Sequence, residues 1–198
     1  MSSTGVTTDQ IKELRRMTGV SVMQCKKALE EAEGDMEKAK IILQKLSSKA
    51  ASKKSDRTLG AGTIATYLHP GGNVGVLVEL QCETDFVSKN EEFLILARDI
   101  AMQVAATNPE YVNSDEINEE SKQKAVEVFQ KDAEGKPEDI AKKIIEGKLA
   151  SYFKEKTLLD QDYIKDTDKT ISEVVEEAVQ KFGEKIQIAR ISRFGVLE

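Results

Sequence analysis

Thr84-Asp85-Phe86-Val87 is the segment whose residue types point most directly to work on a partner. A carboxylate and an aromatic ring sit side by side there, between an alternating apolar run and a helical pattern. One reading tucks Phe86 under the neighbouring elements as core and lets Asp85 hydrogen-bond the turn backbone. The other lets the pair project as a rigid apolar wedge with an attached anion, suited to prying apart a partner's helices or metal site. Conventional catalytic sets are missing. His69 is the single histidine, and Cys25 and Cys82 lie far apart, so a four-ligand zinc site would need carboxylate help. A Cys-His nucleophilic pair would have to use His69, which sits in a Pro-Gly-Gly turn. The chain has no Gly-rich phosphate loop, no HExxH and no GxSxG, and its acidic residues fall on solvated helix faces. The expectation is a protein without cofactor or metal and without catalytic chemistry of its own.

The elements that must position the Asp-Phe pair can be read from periodicity. Upstream, Val74, Val76, Val78, Leu80 and Cys82 alternate with Gly75, Leu77, Glu79 and Gln81, predicting a strand. A second alternating run, Thr63 to Leu68, precedes it across His69-Pro70-Gly71-Gly72, so the two form a hairpin. Downstream, Phe93, Leu96, Ala97, Ile100 and Val104 mark one buried face of a helix from about Glu91 to Ala106. Further helices are expected from Ile117 to Glu134, Pro137 to Glu146 and Leu149 to Leu159. Thr170-Ile171-Ser172-Glu173 has capping-box spacing and opens a helix closed by Gly183. Lys185 to Val196 reads as a last strand, with a bulge or change of face near Ala189–Ile191.

Ahead of the hairpin, three short helices are predicted. Thr7-Thr8-Asp9-Gln10 caps the first, Ser21-Val22-Met23-Gln24 repeats that spacing, and Asp35 caps the third. None is long enough to be stable alone, so they must pack together. Residues 47–58 contain no large apolar residue, carry a net charge of +3, and read as a flexible linker. The domain expectation is a three-helix module over 1–46, a basic linker over 47–58 and a body over 59–198. The fold class is α+β: the helical module joined to a small antiparallel three-stranded sheet covered by helices.

Composition sets outer bounds. In 198 residues, 39% are hydrophobic and 32% charged, enough apolar content for a packed core. No run of about 18 apolar residues is present, so no membrane span is expected. The opening MSSTGVTTDQIKEL has neither a basic start nor an apolar stretch, so no secretory signal is read there. A cytoplasmic protein, or one of an organelle matrix or stroma, is expected. The net charge of −6 divides into +4 over 1–58 and −10 over 59–198, a basic head on an acidic body. With no Trp and 5% aromatics, a stacking platform for single-stranded nucleic acid is not expected.

Three separated stretches carry a likeness. Leu14-Arg15-Arg16-Met17-Thr18-Gly19 with Met23-Gln24-Cys25-Lys26-Lys27-Ala28-Leu29 resembles the N-terminal module of the translation elongation factor Ts family. His69-Pro70-Gly71-Gly72 with Cys82-Glu83-Thr84-Asp85-Phe86-Val87 is similar to that family's core signature, and Phe182-Gly183-Glu184-Lys185-Ile186 with Arg193-Phe194 to its C-terminal end. Val22 stands where the family commonly has Met, and Gln24 where it commonly has Asp. The resemblance implies a guanine-nucleotide exchange factor for elongation factor Tu. It implies an N-terminal module of ubiquitin-associated type that contacts the GTPase through Arg15, Val22, Met23, Cys25 and Lys26. It also implies insertion of the Asp85-Phe86 pair, with Thr84 and Val87 flanking it, beside the GTPase's magnesium and phosphates. The resemblance implies a homodimer, in which two chains pair to supply a second core, with no direct nucleic-acid or membrane partner. Two other readings rest on parts of the chain: a ubiquitin-type binding module on residues 1–46, and an RNA-binding structural protein on the basic linker.

Overall fold

The computed structural model describes residues 5–198, so the first four residues of the expected module and of the stretch read for a leader lie outside the described residues. Eight α-helices and five strands are present among the described residues, three strands forming an antiparallel sheet in the order β1-β2-β5. The fold is α+β. The chain groups into two compact units. One gathers the described part of Met1–Thr63 with Leu80–Leu94 and Glu173–Gln187, the other Ile64–Glu79, Ile95–Ser172 and Ile188–Glu198.

The first unit contains α1 (Thr8–Thr18), α2 (Val22–Glu31) and α3 (Met36–Ser52). Thr7 and Gln10 make the reciprocal capping box at the head of α1, and Gly19 ends it in the left-handed region at φ 67°. Ser21 accepts from the Gln24 N–H, and Asp35 from the N–H groups of Glu37 and Lys38. Leu14, Val20, Cys25, Ala28, Leu29, Ala32, Ala39 and Leu43 are buried together, and Val6, Ile11, Met36 and Ile42 pack against them.

The basic stretch departs from expectation, because α3 continues through it as far as Ser52. Lys49, Ala50 and Ala51 are strong helix formers, and the preceding turns are tied down. Gln44, Ser47 and Ser48 donate hydrogen bonds to Glu173, Gln180 and Glu176 of α8 (Ile171–Phe182). Small polar side chains here serve a helix–helix seam, a role that composition alone reads as solvated linker.

The hairpin β1 (Ala61–Leu68) and β2 (Val74–Cys82) turns at His69–Gly72, where His69 N–H meets the Val74 carbonyl at 2.9 Å and Gly72 adopts φ 68°. Val76, Val78, Leu80 and Cys82 are buried, as the alternation requires. On β1, Ala65 and Tyr67 are half-buried while Ile64 and Leu68 face solvent. Burial along β5 (Ile186–Gly195) alternates through Ile188 and then changes phase around Arg190, the change of face expected there.

In the second unit, α6 (Glu119–Gln130) and α7 (Glu138–Lys156) pair, with Phe129 edge-on to Tyr152 at 5.7 Å. The two helices expected over 137–159 are one: Pro137 is the N-cap, and Gly147 lies mid-helix with open space where a side chain would be. A glycine costs an exposed helix only about 1 kcal/mol, too little to break a 19-residue run. A two-stranded ribbon, β3 (Asp162–Tyr163) and β4 (Asp166–Thr170), was not expected from periodicity. It is held through buried Gln103, which donates to the Gln161 side chain and the Asp162 carbonyl at 3.1 Å each and accepts from Ile164 N–H at 2.9 Å.

Candidate functional site

The Asp-Phe segment is not the loop that periodicity suggests. Residues Asp85–Ser88 form one helical turn, α4, between β2 and α5 (Glu91–Thr107). The Ser88 N–H reaches the Thr84 carbonyl at 3.2 Å and Lys89 N–H the Asp85 carbonyl at 3.2 Å. One turn offers few such bonds, which is too little to hold itself in water, and further tethers fix it. The Cys82 thiol donates to the Thr84 carbonyl at 3.3 Å, and the Ser88 hydroxyl to the Asp85 carbonyl at 3.1 Å. Val87, 3% exposed, anchors the turn from beneath.

On this turn Phe86 is 83% exposed, while Phe93, seven residues later, is fully buried and meets Phe182 edge-on at 6.1 Å. Of the two readings left open by the sequence, the core reading of Phe86 is therefore ruled out. Asp85 points to solvent beside it and pairs with Lys89 at 2.9 Å, both side chains 76% exposed. An exposed ring on a fixed backbone loses little conformational freedom on insertion into a partner.

A second set of expected residues lies on the helical module of the same unit. Arg15 and Lys26 are exposed, and Met17, Val22 and Met23 expose 44%, 49% and 63% of their surface. The C-terminal end of α1 forms one side of a groove of about 610 Å³ lined by Lys12, Arg15, Arg16 and Met17, with Glu92 and Lys181 opposite. Arg16 is occupied by Glu13 at 2.7 Å and Lys181 by Glu92 at 2.8 Å. Cys25 must be removed from the surface set: it is fully buried, and burial pushes its thiol pKa up, so it supports the patch from within. Val87 is corrected in the same way.

Sequence reasoning missed the groups that hold the Asp-Phe turn in place. The Glu184 carboxylate accepts from Glu83 N–H at 3.1 Å, from Thr84 N–H at 3.0 Å and from the Thr84 hydroxyl at 2.6 Å. In return the Glu83 carboxylate accepts from Lys185 N–H and from Arg57 at 3.1 Å. The Lys185 N–H, and after it Arg57, hold the Glu83 carboxyl below the usual glutamate range. Burial, and next the Glu184 charge, push the Cys82 thiol up. The only signal in the sequence was the presence of Glu184 and Lys185 in a motif 100 residues away.

Among the described residues no cluster of three His, Cys, Asp or Glu could hold a metal ion, and no helix is long and apolar enough to cross a membrane.

Residues 6–198 match the family model described as Elongation factor TS. The chain is 47% identical over 191 residues to Elongation factor Ts of Desulforamulus reducens, covering 96% of this chain and 88% of the relative. It is 48% identical over 191 residues to the protein of that name in Carboxydothermus hydrogenoformans, with the same coverage. To that of Syntrophus aciditrophicus it is 49% identical over 192 residues, covering 96% of both chains.

Proposed function

The chain belongs to the elongation factor Ts family, the nucleotide exchange factors of translation elongation, and from that membership we propose how it acts on elongation factor Tu. It binds the GDP-bound GTPase and inserts the Asp85-Phe86 turn beside the magnesium and phosphates. GDP is held largely by that magnesium and by backbone donors around the phosphates, so a wedge that displaces them weakens the nucleotide. By linkage GDP weakens the factor's binding by the same factor, and incoming GTP completes the reloading. The factor makes and breaks no bonds itself. The observation that carries this reading is the 83% exposure of a phenylalanine that follows a backbone tethered at Glu83 and Thr84.

The exposed patch of Arg15, Val22, Met23 and Lys26 docks on the GTPase, so the helical module of α1, α2 and α3 serves as the docking piece. A homodimer forms through the solvent face of the hairpin, where Ile64, Leu68 and Leu77 expose 61%, 69% and 45% of their surface. Unpartnered apolar strand faces of this kind mark an interface. The complex works in the cytoplasm without direct contact to nucleic acid.

The test is release of a fluorescent GDP analogue from elongation factor Tu. Phe86→Ala lowers accelerated release by roughly 30- to 1000-fold, equivalent to about 2–4 kcal/mol. A Phe86→Ala protein that exchanges at the normal rate refutes the wedge.

A further inference from the structure

We infer that Glu184 is a positioning residue for exchange: its carboxylate, delivered from the α8–β5 junction, fixes the direction in which the Asp85-Phe86 turn projects. The inference rests on the wedge reading above and adds a residue that reading does not need.

The argument starts from what α4 lacks. Its N-cap, Thr84, has an extended backbone at φ −129°, ψ 155° and makes no side-chain cap to its own helix. The Thr84 hydroxyl is turned away to Glu184 instead. A helix normally caps itself locally; here the residue leading into the turn is held from a distant part of the chain. Glu184 takes three donors from two consecutive residues, Glu83 N–H, Thr84 N–H and Thr84 Oγ1. Three bonds to one carboxylate define an orientation, where a single bond would leave a pivot. Charge-assisted bonds of this type are roughly twice as strong as neutral ones.

The hold is reciprocal. While Glu184 grips residues 83 and 84, Glu83 grips the Lys185 backbone and Arg57. Lys185 in turn donates its ammonium to the Ser55 carbonyl. The residues next to the wedge on its N-terminal side are therefore clasped to the 184–185 junction. Phe86 follows two residues after the clasp, and nothing in its own side chain fixes its direction. Misplacing a reacting or inserting group by about 1 Å can cost on the order of 100-fold, so a clasp of this kind sets rate more than affinity.

The experiment is a double-mutant cycle read in GDP release, with maximal rate and half-saturating factor concentration measured separately. Glu184→Ala is expected to lower the maximal rate between about 10- and 100-fold and to leave half-saturation within about twofold, because the docking patch is on α1 and α2. In the Phe86→Ala background the same substitution is expected to have almost no further effect, since a residue acting through the ring has nothing left to position. Glu184→Gln keeps one acceptor oxygen and is expected to recover part of the rate; it also serves if Glu184→Ala does not fold. Deuterium exchange of the Thr84 amide should quicken in both variants. Effects of Glu184→Ala and Phe86→Ala that multiply, or a normal maximal rate for a folded Glu184 variant, overturn the inference. A normal rate for Phe86→Ala alone refutes the wedge itself, so the two failures are distinguishable.

Discussion

The turn at Thr84–Ser88 and the three-helix module both present apolar side chains to solvent, but they hold them in opposite ways. Beneath Val22 and Met23 lies an ordinary core, with Cys25, Ala28 and Leu29 of the same helix buried against Leu14 and Leu43. The turn that carries Phe86 buries only Val87 and Ser88 of its own four residues, and hydrogen bonds hold it: residues 83 and 84 to Glu184, Cys82 to Thr84, Ser88 to Asp85. Packing is tolerant of small shifts and suits a docking surface. Hydrogen bonds fail steeply with angle, so a set of them fixes where a single ring points.

The contrast is broken most severely at Phe93. Phe93→Ala is expected to cost about 3–5 kcal/mol of stability, as for any fully buried ring, whereas Phe86→Ala should melt within a degree or two of the parent. Thermal melting of the two variants side by side checks this, and a large loss for Phe86→Ala would return that ring to the core. On the module, Met23→Ala should raise the half-saturating concentration in the exchange assay by roughly 5- to 10-fold, or about 1–1.4 kcal/mol, with the maximal rate unchanged. A fall in the maximal rate would mean that the two regions do not divide docking from exchange. Gly19→Ala probes the backbone under the basic groove. With φ at 67° and the Lys181 ammonium 3.3 Å from the added carbon, it should cost about 1 kcal/mol in urea denaturation.

The smallest effect is in pH. The folded state favours the charged form of Glu83, so the stability this provides is present in full above the ordinary glutamate value. It is lost as pH falls through the lowered native one. The melting gap between the parent and Glu83→Gln should be flat from pH 8 to about pH 5 and close below about pH 4. A gap that widened in acid would show that the clasp does not depend on the carboxylate.

Much of this molecule was legible in its residues because the signals are local. Caps at Thr7, Ser21 and Asp35, the alternation from Val74 to Cys82 and the Phe93–Val104 stripe each depend on neighbours within a turn or two. The Asp-Phe segment stood out by its residue types, and family likeness added the role expected of it and the docking residues on α1 and α2. Other features came only with tertiary structure. Whether Phe86 was core or surface could not follow from a spacing that fits neither element. The continuation of α3 past residue 47 depends on α8, more than 120 residues away. The β3–β4 ribbon depends on one buried glutamine. The clasp joins two glutamates 101 residues apart that look alike in sequence and like any solvated acid. Local propensity is written into each stretch of chain; a hydrogen bond between distant residues exists only once the chain has brought its two halves together.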